Sequence, residues 1–332
     1  VDPAHGVRQS LKESKLQKPV IALAMGDPAG ISPELTAKVV ALPEVREAAR
    51  IIVIGDRRVF DEGAKIAGVR IHDLEFQDLP LPQLSKIQQG APSKEGGESA
   101  LGNYRHALRM VADGKAQAVC FTPFNKQSMK LADKSYDDEI RFTAAVLGFK
   151  GVATEFNVLE KLWNARVTSH IPLAKVASSL SIGNIMEALQ LTTDALKAAG
   201  FNPPRIGVAA LNPHAGDGGN FGREEIDIIE PAVKQARAKG LPAEGPYPAD
   251  TVFVRARNGQ FDAVLTMFHD QGQIAMKLMG FDRGVTVLGG FPFPICTPAH
   301  GTAYDIAGKG IASVGATRAA LLLAAEMAAR IG

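Results

Sequence analysis

Three histidines stand where short apolar runs end. His214 closes Asn212-Pro213-His214 after the run 205–211, and His269 opens His269-Asp270-Gln271-Gly272 after the run 261–268. His170 follows 164–169 (NARVTS) and precedes Ile171-Pro172. Three imidazoles at one edge of a sheet would bind a divalent metal and leave coordination positions open. The three lie too far apart in the chain to form a local metal motif, so only the tertiary fold can gather them. The alternative for each is a hydrogen-bonded structural histidine at a strand end.

Two glycine-rich stretches extend the list. Residues 215–222 (AGDGGNFG) follow His214 and precede a helical pattern. Backbone N–H groups in such a loop, with a helix N-terminus, would hold a phosphate or carboxylate; the alternative is a flexible connection. Residues 300–312 (HGTAYDIAGKGIA) combine a histidine with small residues, which suits close approach to a ligand or a tight connection between helices. No GxGxxG opens a helix after a strand, and no GxxxxGK[ST] occurs, so a Rossmann site and a P-loop both lack support.

The elements that must position these residues follow one rhythm. A short apolar run ends in a Gly/Pro/Asp turn and leads into an amphipathic stretch, as in 19–25 (PVIALAM), 51–54, 116–121, 205–211 and 261–268. Buried parallel strands alternating with helices are expected, an α/β fold. Helices are expected over about 102–112, 182–199, 223–238 and 316–331, with Gly200 stopping the second. The stretch 81–100 reads as an exposed loop feeding a helix. In open α/β sheets ligands bind beyond the carboxyl ends of strands, where the histidines fall.

Composition sets the limits. The 332 residues carry a formal net charge of +2, with 46% hydrophobic and 22% charged residues. Such a chain folds around a sizeable core, usually in about two domains. Its near-neutral charge argues against nucleic-acid binding. No apolar run reaches the ~18–20 residues of a membrane span. Cys120 and Cys296 form no disulfide framework or zinc-finger spacing, and a cytoplasmic location is expected. Residues 1–18 are polar, without a signal-peptide core, and are set aside as a flexible N-terminal segment.

The motifs together carry a resemblance. Residues 300–312 resemble the adenosine-binding loop of the isopropylmalate and isocitrate dehydrogenase superfamily. GDPAGISPEL (26–35), TSHIPL (168–173), LNPHAGDGGNFGREE (211–225), PADTVF (248–253), FHDQG (268–272), GFDRGV (280–285) and HGTAYDIAGKG (300–310) occur in this order. They resemble the 4-hydroxythreonine-4-phosphate dehydrogenase family from about residue 19 to the end. The resemblance implies a two-domain α/β fold of the isocitrate/isopropylmalate dehydrogenase type with a largely parallel sheet. The domains would be 19–150 plus 290–332, holding the cofactor loop, and 151–289, holding the metal histidines. It also implies a homodimer with interface active sites, NAD bound without a Rossmann fingerprint, and a divalent metal held by three histidines, one of them from the partner. His170, His214 and His269 match those ligands. Lys277 matches a substrate-contacting lysine and Asp250 a further polar residue of the site. The cofactor loop maps to Gly289, Gly290, His300, Gly301, Thr302, Asp305 and Gly308.

Departures from the pattern bear on the substrate. Where the family has a phosphate-binding Gly-His-Thr-Glu string, this chain reads 135–142 (SYDDEIRF). Asp138 and Glu139 would repel a phosphate dianion, Arg141 and Lys277 would offset that in part, and a solvated helix start is the alternative reading of the acidic run. An asparagine of the family is replaced by Thr286, and an arginine by Ile295 or Cys296, neither of which can clamp a phosphate. The expectation is a metal-dependent NAD oxidoreductase of a non-phosphorylated hydroxy acid or cis-dihydrodiol carboxylate, with or without decarboxylation. A terephthalate cis-dihydrodiol dehydrogenase branch lacks the phosphate set in the same way. 4-Hydroxythreonine-4-phosphate dehydrogenase activity is the alternative, and an inactive binding protein on the same fold is the third. Lys277 would exchange a proton if buried, or serve as a fixed cation. Asp270 would orient the His269 ring or cap the following turn.

Overall fold

A computed structural model describes residues 18–331. The proposed flexible segment therefore lies outside the described residues except for Lys18. Eleven strands form one sheet: β1 Val20–Ala24, β2 Arg50–Gly55, β3 Glu75–Asp78, β4 Ala118–Phe121, β5 Thr154–Leu159, β6 Leu162–Arg166, β7 Ile206–Ala209, β8 Ala243–Tyr247, β9 Ala263–Thr266, β10 Val285–Gly289 and β11 Ile295–Pro298. Their order is β3-β2-β1-β4-β11-β10-β5-β6-β9-β7-β8. The expected α/β architecture with a largely parallel sheet is present.

Residues 19–150 and 290–332 supply the parallel block β3-β2-β1-β4-β11, while 151–289 supply the rest. Three antiparallel pairings, β11-β10, β10-β5 and β5-β6, separate that block from the parallel set β6-β9-β7-β8. Three reversals make the two parallel blocks run in opposite senses. Carboxyl ends of β1, β2 and β4 therefore lie at one edge of the sheet, and those of β6, β9 and β7 at the other. The latter are adjacent strands, and they lead to His170, His269 and His214.

Sequence explains the strands directly. β4 (AVCF), β7 (IGVA) and β9 (AVLT) are buried along their whole length, as strands covered on both faces must be. Trp163 and Phe156 are fully buried where β6 pairs with β5, with ring centroids 5.6 Å apart. Cys120 and Cys296 are buried register partners on β4 and β11.

The helices correct three sequence expectations. The one expected from about residue 102 begins at Lys94, because the Ser93 hydroxyl accepts the Gly96 N–H and caps it. Part of the expected loop 81–100 is thus helical. The one expected over 223–238 is a π-helical turn, Glu225–Ile229, leading into Glu230–Ala238. Pro231 has no N–H to donate at that junction. The helix Ile182–Ala198 ends as expected, with Gly200 at φ 93°.

Candidate active site

The β6 and β9 ends bring two of the three histidines together. The His170 and His269 rings lie 5.4 Å apart between centroids. His170 adopts φ 53°, a left-handed conformation costly for a non-glycine residue. Two hydrogen bonds hold its turn: Thr168 Oγ1 donates to the Met267 carbonyl at 2.8 Å, and Arg166 Nε donates to Ser169 Oγ at 3.0 Å. His269 Nδ1 lies 2.7 Å from Asp270 Oδ1, so Asp270 orients this ring. With Nδ1 engaged, Nε2 is the nitrogen left for a ligand.

His214 leaves the same edge but takes another path. It packs 6.2 Å from the Phe221 ring. Residues 214–218 all have positive φ, a left-handed turn that includes His214, Ala215 and Asp217. Among the described residues, no group of three His, Cys, Asp or Glu is placed to hold a metal. One chain thus supplies a pair of adjacent imidazoles. The glycine-rich loop is not an open anion cradle either, because buried Glu225 fills it. The Glu225 carboxylate accepts the Leu211 and Asn212 N–H groups at 2.8 Å each and the Asn212 amide at 2.9 Å.

The helix His269–Gly280 runs from the histidine edge back across the sheet. His269, Gln273 and Lys277 are spaced by four residues and form one stripe. All three line a cleft of about 170 Å³ with Asn157, Val285 and Ala299. Gly272 and Gly280 let the helix sit close: a Cβ on Gly272 would lie 2.0 Å from Asn164 Oδ1, and one on Gly280 2.7 Å from Leu159. Lys277 is exposed in this chain, so the burial its proton-exchange role would need is absent here. Thr286 stands opposite Asn157 in the β10–β5 register, beside the cleft wall. Ile295 and Cys296 do not reach the site, being fully buried in the sheet. Asp250 lies in the first turn of the helix Ala249–Arg257 and is not among the cleft-lining residues.

Asp138, Glu139 and Arg141 sit at the helix Glu139–Leu147 and are not among the cleft-lining residues. Asp138 caps it by accepting the Arg141 N–H at 2.7 Å. Asp137 pairs with Arg141, and Lys126 lies 3.8 Å from Glu139. The acidic run is a helix start whose charges are engaged locally. The neighbouring hollow, lined by Arg105, Arg109 and Arg141 with Asp133 and Asp137, carries three guanidinium groups against two carboxylates. These pairings and the neighbouring guanidinium groups offset the negative charge of the run in part.

The loop around 300–308 packs on the turn 26–30, a contact that spacing alone did not reveal. Ile31 donates to the Thr302 carbonyl at 3.0 Å. Tyr304 Oη donates to buried Asp27 Oδ2 at 2.8 Å. Burial pushes the Asp27 carboxyl above its ordinary range, against hydrogen bonds that lower it. A Cβ on Gly30 would lie 2.7 Å from the Thr302 carbonyl oxygen. Gly308 borders a groove of about 280 Å³ with Gly30, Arg58 and Glu62. His300, Gly301 and Asp305 belong to the same segment. Gly289 and Gly290 do not, because they lie at the opposite end of the β10–β11 hairpin. There they pack on Phe156 and Val152.

This α/β sheet carries paired imidazoles, an aligned lysine and a separate glycine-rich groove. The family model for the pyridoxal phosphate biosynthetic protein PdxA matches residues 47–324, and the chain belongs to that family. A Rhizobium meliloti (strain 1021) protein named "Putative 4-hydroxythreonine-4-phosphate dehydrogenase 2" is 61% identical, with 95% of each chain covered. A Symbiobacterium thermophilum protein named "Putative D-threonate 4-phosphate dehydrogenase" is 35% identical over 94% of this chain and 97% of its own. The crystal structure of 4-hydroxythreonine-4-phosphate dehydrogenase from Klebsiella pneumoniae matches with TM-score 0.81, at 33% identity over 94% of this chain and 98% of that one. Terephthalate 1,2-cis-dihydrodiol dehydrogenase from Burkholderia xenovorans matches less well, with TM-score 0.64 and 26% identity over 90% and 95%. These likenesses favour the phosphorylated alternative over the expected cis-dihydrodiol substrate.

Proposed function

We propose that the protein is an NAD- and divalent-metal-dependent dehydrogenase of a four-carbon, 4-phosphorylated hydroxy acid. 4-Hydroxythreonine 4-phosphate and threonate 4-phosphate are the two candidates, and they differ in carrying an amino or a hydroxyl group at C2. The observation that carries the reading is the cleft in which His269 and Lys277 converge, with His170 beside His269. Full-length likeness to 4-phosphate dehydrogenases supports the substrate class.

His170 and His269 fit a divalent cation as two neutral nitrogen donors, and the exposed position of the pair leaves room for further ligands. A cation held there would supply Lewis acidity to the substrate hydroxyl, and NAD would supply the hydride acceptor. Asp270 holds the His269 ring in one orientation. Lys277 neutralises an anionic substrate group. Oxidation at C3 yields a 3-keto acid, whose carboxylate is β to the new carbonyl and is readily lost as CO₂. The resulting enolate needs a proton, and Lys277, exposed in this chain, would supply it only where the partner copy buries it. His300–Gly308 and the turn at Gly30 form the nucleotide groove.

A homodimer is the functional unit in this reading, with a third imidazole crossing from the partner copy. Ile274 and Leu278, one helical turn apart on the helix of His269, are 60% and 84% exposed. An apolar stripe on a site-bearing helix suits an interface that completes the site. The test is NADH formation from each 4-phosphorylated acid, with Mg²⁺, Mn²⁺, Co²⁺ or Zn²⁺ and with chelator. Metal-dependent NADH formation from either acid is expected. No turnover of either under any metal would overturn the proposal.

A further inference from the structure

Three neighbouring strand ends lead to the histidines, and two different devices tie those ends together. The β6–β9 register runs to Arg166–Thr266, and the β9–β7 register stops at Val208–Leu265. Past the first, the contact stays direct. The Val167 N–H donates to the Thr266 carbonyl at 2.9 Å, and Thr168 donates to the Met267 carbonyl through its N–H at 3.1 Å and its Oγ1 at 2.8 Å. Past the second, a side chain takes over. The Met267 N–H donates to Gln271 Oε1 at 2.8 Å, and Gln271 Nε2 donates to the Ala210 carbonyl at 2.8 Å.

The backbone fixes the orientation of this amide. One end meets a donor and the other an acceptor, so Gln271 satisfies both in one way only. Ala210 and Met267 stand two residues past Val208 and Leu265, the last pair of the register. The amide therefore bridges the two strands where a direct rung would otherwise fall. An unbroken chain of bonds crosses all three ends: Thr168, Met267, Gln271, Ala210. His170 and His269 each come two residues after a member of that chain, and His214 comes four after Ala210. Between Ala210 and His214, Glu225 holds the Leu211 and Asn212 N–H groups. Met267 and Ala210 are fully buried. Gln271 lines neither the cleft of Lys277 nor the hollow beside His170, so its side chain serves the backbone.

We propose that Gln271 is a positioning residue for the metal histidines: its side chain is the spacer between the β9 and β7 ends, and it sets the placement of His269 relative to His214. Thr168 locks the turn of His170 to the same Met267 peptide. The inference rests on the metal-dependent reading of the site and deepens it. It holds whether an ion takes its ligands from one chain or from two, because each copy presents all three turns on one stitched edge. Removing a group that orients metal ligands without touching the metal lowers affinity by about tenfold to a hundredfold. Gln271→Met fills a similar volume and makes neither bond. Gln271→Glu keeps the acceptor for Met267 but sets a carboxylate oxygen against the Ala210 carbonyl, two acceptors with no proton between them.

The experiment titrates the metal-free protein with Co²⁺, read by calorimetry and by the visible absorption bands of the bound ion. The wild type should bind, and His269→Ala should lose binding, which locates the ion. Gln271→Met and Gln271→Glu should each raise Kd by about tenfold or more and alter the bands. Thr168→Val should act in the same direction, while Thr168→Ser, which keeps the hydroxyl, should match the wild type. A purely structural Gln271 would lower the melting temperature of the metal-free protein and leave Kd and the bands unchanged. That result overturns the inference and leaves the metal reading standing. Should Gln271→Met fail to fold, the near-isosteric Gln271→Glu and the Thr168 pair decide the matter. A wild type that binds no Co²⁺, or binding that survives His269→Ala, overturns the metal reading and the inference with it.

Discussion

His170 and His269 face each other across 5.4 Å although ninety-nine positions of chain separate them. Their strands, β6 and β9, are parallel neighbours whose carboxyl ends share an edge. His170→Ala and His269→Ala should each remove metal-dependent turnover, with kcat/KM down by about a thousandfold or more. Neither side chain belongs to the core, so melting temperatures should stay within a few degrees. Steady-state kinetics and thermal melts of both variants check this.

Asp270 lies against His269 Nδ1. Asp270→Asn should weaken metal affinity by about tenfold to a hundredfold without removing the site. Titration of metal-free enzyme with Zn²⁺ or Co²⁺, read by calorimetry, measures the change.

Lys277 is the cation of the cleft-lining set. Lys277→Ala should cut kcat/KM by about tenfold to a hundredfold, the value of a charge-assisted hydrogen bond. Lys277→Arg should recover part of the loss.

Asp56 is fixed at the start of the helix Arg57–Ala67, beside the proposed nucleotide groove. Its carboxylate accepts the Arg58 N–H at 2.9 Å and the Leu81 N–H at 2.7 Å and pairs with the Arg58 guanidinium. Burial pushes its carboxyl up, but these partners outweigh that and hold it below the ordinary aspartate range. A depressed folded-state value means the stabilisation is complete above the unfolded pKa of about 3.9 and fades as pH falls through the folded value. Asp56→Ala should cost about 1–2 kcal/mol at pH 7, and the gap from wild type should close in acid. Denaturant melts at pH 7 and pH 3 test both statements.

Much of the site was legible before the fold was known. The HDQG string, followed by Lys277 at helical spacing, places a stripe along one helix whatever that helix packs on. Strand ends were readable because apolar runs stop at Asn-Pro-His and His-Asp. Other parts were not. Gln271 looks like an ordinary polar position at a helix start, and only the β6–β9–β7 order brings Met267 and Ala210 to the two ends of its amide. The burial of Ile295 was not legible, because a local alignment cannot tell a site-facing residue from one sealed in a strand. Asp138 stayed open between two readings because a helix cap and an anion-repelling carboxylate have the same sequence, and the structure shows the cap. Gly289 and Gly290 were mapped to the cofactor loop by the resemblance, and the hairpin places them at the end away from His300–Gly308.

Ile274 and Leu278 extend from the helix that carries His269. Leu278→Asp, alone or with Ile274→Asp, should shift the enzyme toward monomer in sedimentation velocity. Turnover should fall in parallel, since an imidazole from the partner is part of the proposed site.

The most direct test of the substrate class is a paired measurement on one enzyme preparation. kcat/KM with NAD⁺ and divalent metal is determined for threonate 4-phosphate, for unphosphorylated threonate, and for a cis-dihydrodiol carboxylate. The account predicts that the phosphorylated acid exceeds both others by about a thousandfold or more, the scale expected when charge-assisted phosphate contacts are lost together. Equal or faster turnover of either unphosphorylated compound would contradict it.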